Sequence, residues 1–180
     1  MNTRLTSLPQ VFLSLSLCLT MAQARAQTQQ EQALKELSRD VPAGTLQACS
    51  LITRADVVKA TGRDPYVDPE AAGKGGWMCN VGTGELKVYS GPKSLETWES
   101  TLKQFKMDKE PRTPAPNFGA NAYFMYPKPT SKYVSNAGVL VAQKSSHTLV
   151  LSLDAAEGQP GESVRPALES LMKTVLSRVP

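Results

Sequence analysis

The residue types that carry most protein chemistry are scarce in this 180-residue chain, and their spacing excludes more than it offers. There is one histidine, His147, just after Ser145-Ser146, with no nucleophile setting beside it, so it reads as a turn residue rather than a general base. A serine hydrolase needs a G-x-S-x-G elbow to lift its nucleophile, and the chain has none. Gly73-Lys74-Gly75-Gly76 is superficially like a phosphate loop, but Pro69 stands where the leading Gly is required and Gly75 where a Ser or Thr must reach magnesium. Asp64, Asp68, Glu70 and Asp154 could supply a pair of carboxylates for acid-base work, although carboxylate separation is not readable from one sequence. Asp64-Pro65-Tyr66-Val67-Asp68-Pro69-Glu70 is too interrupted by proline for a calcium loop. No catalytic residue, metal ligand set or cofactor is assigned. The candidate binding residues are Tyr123, Phe124 and Tyr126, an aromatic run between Pro-rich segments that could line a cleft or a partner surface.

The cysteines point to an address. The first residues carry Arg4, then an apolar run broken by Ser and Gln, then Ala22-Gln23-Ala24-Arg25-Ala26, the three parts of a cleavable secretory signal; cleavage is expected after Ala26. The run is shorter than the roughly 18 to 20 apolar residues that cross a bilayer. Leu17 precedes Cys18, where lipoprotein cleavage wants a small residue, so lipid attachment there is rejected. Of the three cysteines, Cys49 and Cys79 survive cleavage, and an even pair in an exported chain reads as a disulfide. Metal binding by this pair would need further ligands, and catalytic pairs are usually spaced C-x-x-C. Trp77, beside Cys79, is expected to pack over the disulfide. Cleavage also removes Arg4 and Arg25, taking the balance from 20 basic and 16 acidic residues to 18 and 16. Charges this interspersed form no stripe for nucleic acid or anionic lipid. The expected location is periplasmic or secreted.

The elements that must position these residues follow from periodicity. Residues 27–45 form a Gln-rich flexible or helical leader, and 46–180 one α+β domain. Thr53 with Asp56 has the form of a capping box and Gly62 of a stop, predicting a helix over 54–61. Residues 62–76 and 107–118, rich in proline, glycine or charge, read as loops. Alternation predicts a half-buried strand over 85–90, with Leu86 and Val88 on one face and Lys87 and Tyr89 on the other. Ser94 is expected to cap a helix with Leu95, Trp98, Leu102 and Phe105 on one stripe. In a strand over 120–126, Ala122, Phe124 and Tyr126 share one face and Tyr123 and Met125 the other. A hairpin turns at Ser145-Ser146 between strands 139–144 and 147–153, and a helix over 163–178 carries Val164, Leu168, Leu171, Val175 and Val179 inward. The fold class is α+β, with a partly antiparallel sheet whose face the helices cover, closed by one disulfide. No repeat of 20 to 50 residues is present, which excludes solenoids and propellers.

The order of landmarks carries a resemblance. Ala48-Cys49-Ser50-Leu51-Ile52-Thr53 runs into Ala55-Asp56-Val57 and Gly62; a second Cys follows a Gly-rich loop. Then come Phe118-Gly119-Ala120-Asn121-Ala122-Tyr123, a hairpin and an amphipathic last helix. Over about residues 46–179 this resembles a group of small exported bacterial domains of unknown function. Many actinobacterial members are lipoproteins opening with a Cys-Ser-Leu-Leu-Thr-like stretch. The resemblance implies a PsbP/Mog1-like α+β sandwich and brings no catalytic residue; the chain departs from it in lacking a lipid-attachment cysteine. The expectation is a non-enzymatic binding module for a protein partner or small ligand, an inhibitor or immunity protein being one form. An envelope enzyme using an Asp/Glu pair and a purely structural envelope protein stay open as alternatives.

Overall fold

A capping box starts the first helix. In the computed structural model, which describes residues 46–65, 67–72, 75–128 and 136–180, Thr53 Oγ1 accepts from the Asp56 amide and Asp56 accepts from the Thr53 amide. These bonds satisfy donors that a helix N-terminus leaves orphaned. The helix (α1, Arg54–Thr61) stops at Gly62, which takes the left-handed conformation at φ 67°. The signal peptide and leader expected over 1–45 lie outside the described residues.

Seven strands, β1 (Glu70–Ala72), β2 (Met78–Asn80), β3 (Gly84–Ser90), β4 (Arg112–Pro114), β5 (Tyr123–Met125), β6 (Ala137–Lys144) and β7 (His147–Asp154), form one sheet in the order β1-β2-β3-β7-β6-β5-β4. Every neighbouring pair is antiparallel. Two meanders, β1–β3 and β4–β7, thus join at the centre through β3 and β7.

Helices cover both faces of this sheet. On one face α1 and the last helix (α3, Arg165–Arg178) bury Val57, Leu168, Leu171 and Val175 against Leu86, Leu140, Leu151 and Phe124. On the other, the middle helix (α2, Ser94–Gln104) buries Trp98 and Leu102 against Tyr123, Met125, Val141 and Val150. The predicted inward stripe of the last helix is buried throughout. Strand β3 is half-buried as expected, with Leu86 and Val88 buried and Lys87 and Tyr89 partly exposed, Tyr89 packing against Trp98 with ring centroids 5.9 Å apart. Trp77, expected over the disulfide, lies against the Tyr89 ring at 5.7 Å.

Cys49 and Cys79 form the expected disulfide, tying the 3₁₀ turn Ala48–Leu51 to β2. The two segments expected to be loops each hold a three-residue strand. β1 exists because Ala71 pairs with Cys79, and β4 because Thr113 pairs with Phe124. Strands this short carry no period of their own, and proline is tolerated at a sheet edge. The stretch over 120–126 keeps its facial split but is regular only over three residues. Ser94 is the first residue of α2 rather than its cap; its side chain accepts from Thr148 Oγ1 at 3.0 Å inside the core. Phe105, expected on the buried stripe, is 64% exposed, because α2 ends at Gln104 and Lys106 at φ 58° turns the chain away.

α1 and α3 are tied by Arg178, which donates twice to the Asp56 carboxylate (2.6 and 3.1 Å) and once to the Leu51 carbonyl (2.8 Å). Burial pushes the Asp56 carboxyl up, but hydrogen bonds from Arg178 and Thr53 outweigh it and hold the group below its ordinary 3.8. A lowered native pKa stabilises the fold above the ordinary carboxylate range, and that stability is lost as pH falls through the native value. Asp56→Asn is therefore expected to cost about 1–2 kcal/mol at neutral pH. In urea unfolding followed across pH, the gap from the parent should close at acid pH; a gap that persists there would assign the loss to packing.

Candidate functional site

The alternation of β5 sends the three candidate aromatics apart. Tyr123 (8% exposed) points toward α2 and Phe124 (1%) toward α3, so the two cannot line one surface. The Tyr123 hydroxyl accepts from Trp98 Nε1 at 2.8 Å and donates to Glu99 Oε1 at 3.2 Å. Arg112 binds Glu99 through two hydrogen bonds and stacks over the Tyr123 ring at 4.7 Å. Burial pushes the Tyr123 phenol up to about 12; the Trp98 donor opposes the rise and the Glu99 charge adds to it. This is a satisfied packing network. Phe124 meets Phe118 edge-on and Tyr126 in a parallel stack, with the Arg165 guanidinium 4.4 Å above its ring.

Tyr126 alone of the three borders open space. It lines a groove of about 430 Å³ together with Glu110, Thr113, Lys128, Glu162 and Arg165. These side chains come from the loop before β4, β4 itself, the end of β5, the 3₁₀ turn Gly161–Val164 and the first residue of α3. The Tyr126 hydroxyl is buried with no acceptor for its proton among the described residues, and the Arg165 guanidinium lies against its oxygen. Burial raises its pKa, Arg165 opposes that, and Glu162 and Glu169 add to it. Arg165 is oriented by Glu169, whose Oε1 accepts from Nε at 3.0 Å.

The expected acids disperse. Asp64 binds Arg54 through two hydrogen bonds of 2.8 Å, while Asp68 and Glu70 sit in a loop and in edge strand β1. Asp154 lines a second recess, of about 370 Å³, with Glu85, Asn80 and Ser152. Burial and then the Glu85 charge raise the Asp154 carboxyl, while Arg63 opposes the rise. Lys87 forms an ion pair with Glu85. Among the described residues no group of three or more His, Cys, Asp or Glu side chains is placed to hold a metal.

His147 opens β7, opposite Ser90 on β3 and Lys144 on β6. His147 Nδ1 and Ser90 Oγ are both buried without a hydrogen-bond partner. No acid orients the imidazole among the described residues, so the pair lacks the parts of a nucleophilic site. Gly75, the described part of the Lys74 loop with Gly76, accepts from Gln47 Nε2, which gives this segment a structural attachment.

No family model, curated protein or solved structure matches the chain, so function is read from the groove's own geometry. Sequence reasoning reached Tyr126 and missed Arg165, Glu162, Glu110 and Glu85, none of which stands in a motif. Among the described residues no helix is long and apolar enough to cross a membrane.

Proposed function

We propose that the chain is a non-enzymatic binding module of the periplasm or the secreted space, and that its site is the groove beside Tyr126. The observation that carries this reading is the groove in which Tyr126 stands among charged side chains of both signs, its buried hydroxyl without an acceptor for its proton among the described residues. A buried donor without a partner costs about 1–3 kcal/mol, so a phenylalanine there would serve folding better. A ligand that supplies the missing partner gives the hydroxyl a use that packing does not. The disulfide fits an oxidising compartment.

Two conservative variants separate binding from packing. Tyr126→Phe is expected to leave stability unchanged or raise it by up to about 1 kcal/mol, while ligand recovered with the protein falls about tenfold. Tyr123→Phe is expected to cost about 1–2 kcal/mol, because it strands the Trp98 Nε1 donor, and to leave the ligand in place. Urea unfolding gives the first quantity, and native mass spectrometry of protein taken gently from its own envelope fraction gives the second. If Tyr126→Phe loses as much stability as Tyr123→Phe, the hydroxyl is structural and the groove is not the site.

A further inference from the structure

We propose, resting on the groove as the binding site, that its ligand is a short peptide with free ends. The carboxylate would be held by Arg165 and the Tyr126 hydroxyl, and the ammonium by Glu110 and Glu162. Four charged side chains line the groove, two of each sign. Among the described residues Glu110, Glu162 and Lys128 enter no ion pair. A lining with both signs, of whose four charges only Arg165 is ion-paired among the described residues, and that to Glu169, is complementary to a ligand that also carries both signs.

Arg165 is prepared for a carboxylate. Its Nε is engaged by Glu169, its plane rests on Phe124, and the guanidinium lies against the Tyr126 hydroxyl. A guanidinium fixed in this way offers a donor fork that matches two carboxylate oxygens. The Tyr126 hydroxyl beside it supplies a further donor, and its missing partner is what such an oxygen would provide. The position of Arg165 at the start of α3 adds the helix dipole to the attraction.

Length is limited by the neighbouring strand. β4 is the last strand of the sheet, and Thr113 both belongs to it and lines the groove. Among the described residues an added chain could pair along its open side, but Ala115 donates to β5 and Thr113 points the same way, while Pro114 has no N–H, so only Arg112 can donate there. That permits a residue or two of pairing and blocks a long strand. A cavity of about 430 Å³ is at the small end of ligand sites and is far below a folded partner's footprint.

The test titrates the full exported protein by calorimetry with trialanine, trialanine amide and N-acetyl-trialanine. Trialanine is expected to bind. Amidation and Arg165→Met should each weaken it about tenfold or more, and combining them should cost little further, because both remove one contact. Acetylation should weaken binding in the same way, with Glu162→Gln adding little on top. Met is chosen to keep apolar cover on Phe124, and unfolding curves of each variant confirm that it folds. No binding of trialanine, or equal binding of all three peptides, overturns the zwitterion assignment and leaves the groove reading to the native ligand seen by mass spectrometry. Trialanine binding that survives both Tyr126→Phe and Arg165→Met overturns the groove itself.

Discussion

Replacing both Cys49 and Cys79 by Ala is expected to lower unfolding stability by about 3.6 kcal/mol, the chain-entropy value for a cross-link spanning 30 residues. Marginal stability makes this a large share of the total. Cys79 is fully buried and lies in β2, which holds β1 on one side and β3 on the other. Without the cross-link, the turn is still held by the Ala48 amide bonded to the Gly76 carbonyl, the Gln47 side chain bonded to Gly75, the Arg178 bond to the Leu51 carbonyl, and the burial of Ala48 and Leu51. Urea unfolding of the parent in reductant should reproduce the double variant. A loss under about 1 kcal/mol would mean that those bonds and the β2–β3 ladder already order the segment in the unfolded ensemble. The groove sits by β4, at the opposite edge of the sheet, so the folded fraction of the double variant should keep its ligand affinity.

Gly138→Val is expected to cost at least about 2–3 kcal/mol and to weaken ligand binding as well. A Cβ at Gly138 would stand 2.7 Å from Val164 Cγ2, 2.9 Å from the Gly161 carbonyl oxygen and 3.0 Å from Leu168 Cδ1. Gly161 is matched to it: a Cβ there would meet the Ala137 carbonyl oxygen at 2.4 Å. Two glycines therefore let the turn Gly161–Val164 lie directly on β6, and that turn carries Glu162 and leads into Arg165. Since backbone cannot yield as a flexible side chain does, a valine must push the turn outward and take both groove residues with it. Unfolding and trialanine titration of the same preparation test both effects. Parent-like stability would show that the turn shifts freely and that this contact does not set the groove.

Some elements were legible because their signals are local. The Thr53–Asp56 box and the Gly62 stop lie within one helix, so α1 is bounded where the residues say. The hairpin around Ser145-Ser146 and the inward stripe of α3 repeat over many residues, long enough for a period to be counted. Alternation also divided the aromatics correctly between two faces, although it could not say that helices cover both.

β1, β2 and β4 are too short to carry a pattern and exist only because the next strand along the chain pairs with them. Ser94 turned inward because Thr148, 54 residues away, donates to it. Phe105 faces water because one backbone angle at Lys106 ended the stripe.

By itself the sequence determined the α+β class and the disulfide pair, since each depends on residue type or on periodicity within single elements. Only the tertiary structure decided which aromatic is available to a ligand and which charges accompany it. Tyr123 and Tyr126 are equivalent as letters. One is held by Trp98 and Glu99, and the other opens beside Arg165 because Gly138 and Gly161 bring a remote turn against the neighbouring strand β6. Periodicity reports the faces of single elements; a site is where several meet, and close packing between distant segments fixes that meeting.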